Sequence, residues 1–225
     1  MANVAVITGT TRGVGLTLAH VLLDAGWTVY GLNRNPNTPI HSQPNYIHCQ
    51  LDVTDKAAVE KFFLEFNERI NLLVNNAGVF KLAPLLHTDY DTIESIIKTN
   101  TLGPMYITKA AIGKMKIDSR IVFMNSVAGL NELDNQSVYC ASKHALTAFA
   151  SIVAKELRGN LIRVTSIHPG GINTPLWNDS NPYPLGDKST ALDTREIARM
   201  INYIIESPKN VDYKTIKMFP TVEWH

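Results

Sequence analysis

The five residues Tyr139-Cys140-Ala141-Ser142-Lys143 put a phenol and an ammonium group four positions apart in a segment patterned as a helix. Residues i and i+4 of a helix share a face, so both side chains can reach one ligand. A tyrosine, with an unperturbed pKa of about 10, is a poor base at neutral pH. A positive charge beside it favours the phenolate. Tyr139 can then give a proton to a carbonyl oxygen or take one from an alcohol. Ser126 lies thirteen positions earlier, at the end of a strand-like run. Its hydroxyl can donate to the same oxygen and stabilise developing charge. Taken singly, such a Tyr/Lys pair is common on solvated helices and such a serine is an ordinary turn residue, so the surrounding pattern decides.

The first strand-like run leads into Thr8-Gly9-Thr10-Thr11-Arg12-Gly13-Val14-Gly15. Glycines allow a sharp turn and let backbone N–H groups approach a pyrophosphate with no Cβ in the way. The helix opening there offers unpaired N–H groups and a positive dipole end to phosphates. The spacing Thr-Gly-x-x-x-Gly-x-Gly, with Asp52, Asn75-Asn76-Ala77-Gly78, Asn100, Ser126, Tyr139, Lys143 and Pro169-Gly170 in order, resembles the short-chain dehydrogenase/reductase family over most of the chain.

The resemblance implies a dinucleotide held by Gly9, Thr11, Arg12, Gly13, Val14 and Gly15. It implies Asp52 and Val53 at the adenine, and Asn76, Ala77 and Gly78 along the adenosine ribose. It implies that Lys143 holds the nicotinamide ribose beside Tyr139, and that Asn100 holds a water in a proton relay. In the Pro169-Gly170-Gly171-Ile172-Asn173-Thr174 segment, it assigns the backbone at Ile172 to the carboxamide and Thr174 to the nicotinamide end or the phosphates. The implied reaction is hydride transfer between a nicotinamide dinucleotide and a carbonyl/alcohol pair, with reduction of a ketone or aldehyde the expected direction. Two other functions on this fold are a dinucleotide-sensing regulator and a sugar-nucleotide epimerase or dehydratase. Sensors have usually lost the Tyr or the Lys. The epimerases carry a larger C-terminal substrate domain, which 225 residues can hardly hold.

Cofactor choice turns on the second strand, which ends Gly31-Leu32-Asn33-Arg34. Relatives that prefer NAD usually carry an acid at the position of Asn33 to bind the ribose 2′-hydroxyl. Asn33 has no charge to repel a 2′-phosphate, and Arg34 and Arg12 can bind one with paired, charge-assisted hydrogen bonds. NADP is therefore expected over NAD, and Asn33→Asp with Arg34→Ile is expected to shift preference toward NADH.

These residues need a frame that brings strand ends together. Strand-like segments at residues 4–7, 28–32, 46–50, 71–74, 120–124, 162–167 and 215–219 alternate with helix-like ones at 14–25, 55–66, 89–115, 136–157 and 195–206. The 89–115 region is expected to break near Gly103-Pro104. This βαβ order predicts a single domain over residues 1–225, a doubly wound α/β fold of the Rossmann type. Its mostly parallel seven-stranded sheet would have helices on both faces, with ligands at the carboxyl ends of the strands. Residues 175–194, rich in Asn, Asp, Ser and Pro, read as a substrate lid as readily as a plain loop.

A net charge of +1 gives no electrostatic case for nucleic acid or a membrane surface. No apolar run approaches the roughly 20 residues of a membrane span, and the start, Met1 to Ile7, shows no basic leader, so a cytoplasmic protein is expected. Cys49 and Cys140 read as separate reduced thiols, and the scattered histidines suggest no metal site. Small residues at Ala141, Ala145 and Ala148 permit helix-to-helix approach, and relatives assemble this way, so a homodimer or homotetramer is expected. The C-terminal stretch Lys217 to His225 lacks the Gly-Gly ending frequent in the family.

Overall fold

The computed structural model describes residues 2–40 and 43–223. Met1, Trp224 and His225, which belong to the two terminal stretches, lie outside the described residues. The strands are β1 (Val4–Thr8), β2 (Thr28–Asn33), β3 (Tyr46–Gln50), β4 (Ile70–Asn75), β5 (Met115–Met124), β6 (Arg163–Pro169) and β7 (Thr215–Met218). The helices are α1 (Gly13–Asp24), α2 (Lys56–Glu65), α3 (Tyr90–Ile97), α4 (Gly103–Ala111), α5 (Ser137–Glu156) and α6 (Thr194–Glu206). The seven strands form one sheet in the order β3-β2-β1-β4-β5-β6-β7, every pair parallel. This is the expected doubly wound architecture.

Side chains alternate across a strand, and the core divides accordingly. Val4 and Val6 of β1, Leu73 of β4 and Ile121 and Phe123 of β5 pack with residues of α2, α4 and α5. Ala5 and Ile7, Leu72 and Val74, and Val122 and Met124 face the other way, against α1 and α6. Burial on both faces explains why these strands read as continuous apolar runs.

The predicted 89–115 helix is four pieces: α3, a wider turn, α4 and a last tight turn at Ile112–Lys114. Between α3 and α4 the chain makes a wider turn, Lys98–Leu102, in which Gly103 N–H donates to Lys98 O, five residues back. Pro104 lacks the N–H that an α-helix would aim at the Asn100 carbonyl, which is the physical cause of the widening. The helix also stops earlier than predicted, and β5 begins at Met115 instead of residue 120. Its first part pairs with β4 only at Ile70–Met115, before a register break that precedes Leu72–Arg120. Cys49 and Cys140 are both free thiols.

Candidate active site

The strand order reverses between β1 and β4, and the crevice at their carboxyl ends is where open α/β sheets take ligands. Hydrogen bonds lace the two ends together. Thr8 Oγ1 accepts from the N–H groups of Asn76 and Ala77, both at 2.9 Å, and Asn76 Nδ2 donates to the carbonyls of Thr8 and Gly9, both at 2.9 Å. Gly9 has φ of +77°, a conformation only glycine adopts without strain. A Cβ at Gly15 would run into the Gly9 carbonyl and the Asn76 amide. No side chain caps α1, whose N-cap is Arg12, so its first N–H groups await an acceptor.

This turn forms the middle of a cavity of about 1040 Å³. The lining includes Gly9, Thr11, Arg12, Gly13, Val14, Asp52, Val53, Asn76, Ala77 and Gly78, and also Ser126, Tyr139, Lys143, Pro169, Gly170, Ile172 and Thr174. A glycine cradle that a Cβ would fill, an uncapped helix and a cavity of this volume suit a dinucleotide. The predicted residues thus converge on one space, with Gly15 just beneath it and Asn100 buried beside it.

At the end assigned to adenosine, Asp52 Oδ1 accepts from Thr54 N–H at 2.9 Å and Thr54 Oγ1 at 2.8 Å, which fixes the carboxylate at the turn after β3. Asn33 departs from expectation. Its side chain turns inward and is 3% exposed, although the residue edges the cavity. Asn33 Oδ1 accepts from Thr10 N–H at 2.7 Å, and Nδ2 donates to Gly31 O at 3.0 Å and toward His48 Nδ1 at 3.3 Å. With Nδ1 accepting, His48 Nε2–H donates to Asn35 O at 3.1 Å, tying down the turn after β2. Gly31 makes the network possible, because a Cβ there would collide with Tyr46 and Thr10. Asn33 therefore shapes the turn, and an Asp there would lose its donors to Gly31 and His48. Arg12 and Arg34 are exposed, and neither guanidinium bonds to a described residue.

At the other end, α5 carries Tyr139 half-buried and Lys143 buried. Lys143 Nζ donates to Met124 O at 2.9 Å and lies 5.7 Å from the Tyr139 ring centre. Burial pushes the Lys143 ammonium down to about 8. Burial also pushes the Tyr139 phenol up to about 12, against a hydrogen bond from Ser126 that draws it down. The phenol therefore holds its proton at neutral pH. Ser126 Oγ accepts from Ala128 N–H at 3.1 Å, so its one proton points to the Tyr139 side, where a substrate oxygen would compete for it.

Asn100, fully buried in the widened turn, accepts from Val79 N–H at 2.9 Å. It donates to Val79 O at 2.9 Å and to Ser142 Oγ at 3.2 Å. Its side chain clamps the segment following Gly78 to the residue before Lys143.

Several site residues went unpredicted. His168 is fully buried behind Ser126: its Nδ1 donates to Ser126 O at 3.0 Å while Nε2 accepts from Ser166 Oγ at 2.9 Å. Burial pulls its pKa down and keeps it neutral. An aromatic row extends from Tyr139 through Phe80 (4.8 Å between ring centres) to Trp177 (5.1 Å) and Tyr183 (5.3 Å). Glu223, near the C-terminus, accepts from Tyr183 OH at 2.8 Å and from Gly171 N–H at 2.9 Å. The doubled glycine at Gly170-Gly171 was the available signal, since a Cβ at either would meet the Glu223 carboxylate.

The sequence profile describing short chain dehydrogenases matches residues 3–184. Fold, cradle and profile define the class: oxidoreductases that act on alcohol or carbonyl groups of small molecules with a nicotinamide dinucleotide. The chain belongs to the short-chain dehydrogenase/reductase family. It is 30% identical over 240 residues to a farnesol dehydrogenase of Aedes aegypti, covering 98% of this chain and 97% of that protein. It is 31% identical over 223 residues to carbonyl reductase family member 4 of Danio rerio, covering 92% and 93%. Among solved structures, 4-hydroxyisoleucine dehydrogenase complexed with NADH has a TM-score of 0.85 at 25% identity, covering 97% of each chain. The closed form of serine dehydrogenase complexed with NADP+ has a TM-score of 0.84 at 23% identity, covering 99% of this chain and 96% of that one, a likeness of fold.

Proposed function

We propose that this protein is an NADPH-dependent carbonyl reductase that converts a ketone or aldehyde to the alcohol. One observation carries the reading: a single cavity joins the Ser126, Tyr139 and Lys143 cluster to two guanidinium groups, Arg12 and Arg34, that no described residue neutralises. The dinucleotide, when bound, supplies the hydride. Gly9, Thr11, Gly13, Val14 and Gly15 take its phosphates, Asp52 and Val53 the adenine, and Asn76 to Gly78 the ribose. Pro169, Gly170, Ile172 and Thr174 hold the nicotinamide end. Arg12 and Arg34 select the 2′-phosphate.

Tyr139 gives its proton to the carbonyl oxygen, a role that suits a phenol held protonated by burial. Ser126 donates to the same oxygen as negative charge develops. Lys143, fixed by Met124 O, places its charge beside the phenol and favours the phenolate left behind. Asn100 positions Lys143 through Ser142.

Residues 175–194 act as the lid over the substrate. They are tied down by Asn181 Oδ1, which accepts from Leu82 N–H at 2.8 Å, and by the Leu192–Gly171 backbone bond at 2.8 Å. Among the described residues no helix is long and apolar enough to cross a membrane, and the proposal places the protein in the cytoplasm. Ala141, Ala148 and Ile152 are exposed on α5, and we assign that face to a homodimer or homotetramer contact. Light scattering giving a mass near the monomer's 25.0 kDa would contradict that assignment.

The test is loss of NADPH absorbance with a panel of ketones and aldehydes, repeated with NADH. Turnover with a lower KM and higher kcat/KM for NADPH is expected. The reverse preference overturns the cofactor assignment, and no turnover with either dinucleotide overturns the activity.

A further inference from the structure

Charge is unevenly distributed along the cavity. Of its charged lining residues, Arg12, Arg34 and Asp52 stand at the dinucleotide end, and Lys143 is buried beside Tyr139. The rest, Glu132, Asp134 and Glu223, are all acidic: Glu132, exposed and 3.9 Å from His144, and Asp134 stand between Ser126 and α5, and Glu223 stands against Gly171 and Tyr183. Two nearby lysines stand off the cavity lining. Lys81 Nζ donates to Ser180 O at 3.4 Å and Lys188 Nζ to Trp177 O at 2.6 Å, both directed to backbone carbonyls of the 175–194 segment.

Glu223 is a built feature of this wall. Both its oxygens accept from Gly171 N–H, at 2.9 and 3.1 Å, and Oε1 also accepts from the buried Tyr183 hydroxyl at 2.8 Å. Gly170 and Gly171 leave room for the carboxylate, since a Cβ at Gly170 would meet its Oε2 and one at Gly171 would meet its Oε1 and the Tyr183 ring. The Phe80, Trp177 and Tyr183 rings line the space between this carboxylate and Tyr139.

We infer that Glu223 is a specificity-determining residue, and that the substrate is a carbonyl compound or alcohol with an apolar body and no negative charge. The inference rests on the carbonyl-reductase reading and deepens it. A carboxylate or phosphate entering this end would lose hydration, meet no lysine or arginine on the lining other than Lys143, and face the fixed negative charge of Glu223 in a site of lowered dielectric. Aromatic walls favour apolar groups and tolerate cationic ones.

Three aryl methyl ketones of matched shape test this, bearing a para carboxamide, carboxylate or trimethylammonium group. NADPH consumption is followed with the wild type and with Glu223→Gln, which keeps an acceptor for Gly171 and Tyr183 but removes the charge. For the wild type, kcat/KM for the carboxylate is expected to be about tenfold or more below that for the carboxamide, chiefly through KM, while the trimethylammonium compound is not so penalised. In Glu223→Gln the carboxamide-to-carboxylate ratio should fall by about fivefold or more. Equal turnover of carboxylate and carboxamide by the wild type, or an unchanged ratio in the variant, overturns the inference while leaving the carbonyl-reductase reading intact. No turnover of any of the three, with NADPH or NADH, overturns both.

Discussion

Lys143→Met should make the protein more stable while abolishing its activity. Lys143 is 5% exposed, and burial alone drives its ammonium from the usual 10.5 down to about 8. Each tenfold weakening of proton binding corresponds to about 1.4 kcal/mol, so the folded state carries a penalty of roughly 3 kcal/mol for keeping that charge at neutral pH. Methionine fills similar space without charge but forfeits the 2.9 Å bond to Met124 O, a loss of about 1–2 kcal/mol. The net gain is about 1–2 kcal/mol at pH 7, or roughly 2–8 °C in Tm for a chain of this size. The sign follows from linkage. Because the folded pKa is depressed, the wild-type penalty is fully present below about 8 and is relieved as pH rises toward 10.5. The variant's advantage should therefore shrink between pH 8 and pH 10.5 and end as a deficit. Thermal melts at pH 7 and pH 10 read this directly. A variant less stable than wild type at pH 7, or an advantage that grows with pH, would show that the buried ammonium carries no such penalty.

Arg34→Ile and Arg12→Ala should each raise KM for NADPH by about tenfold and leave KM for NADH nearly unchanged, the size expected of one charge-assisted contact. Steady-state kinetics with both cofactors checks this. Asn33→Asp should act on the fold as well as on cofactor choice, since it strips the donors to Gly31 O and His48 Nδ1. A loss of about 1–3 kcal/mol in urea unfolding is expected, and unchanged stability would contradict the inward placement. Asn100→Ala unpairs the half-buried Val79 N–H and C=O together. It should cost about 2–4 kcal/mol and lower kcat more than it raises KM, as measured by unfolding and kinetics on the same preparation.

The parts of this molecule legible in sequence are those whose cause is local. Val4 to Ile7 reads as a buried strand because both faces of β1 are covered, and the glycines after it because each answers to the turn they share. Tyr139 and Lys143 face one way because a helix makes them do so. The inward role of Asn33 is hidden because its partners, Thr10, Tyr46 and His48, come from two other segments that meet only in the folded sheet. The side-chain partners of Asn100, Val79 and Ser142, are hidden likewise, since they lie 21 and 42 residues away. Glu223 is invisible for the same reason, standing 52 residues from Gly171. The early start of β5 is hidden by Lys116 and Asp118, which interrupt the apolar pattern, and by the left-handed backbone at Asp118 (φ 64°).

Tyr139 is proposed to deliver the proton that accompanies hydride transfer to a carbonyl. Tyr139→Phe removes one hydroxyl and little volume, leaving the Phe80 edge contact and the Lys143 bond to Met124 O in place. The deciding measurement is kcat of this variant against wild type for NADPH-dependent reduction of the best carbonyl substrate. A fall of at least about 100-fold is expected, with NADPH affinity and Tm nearly unchanged. A variant that keeps half of the wild-type kcat would contradict it.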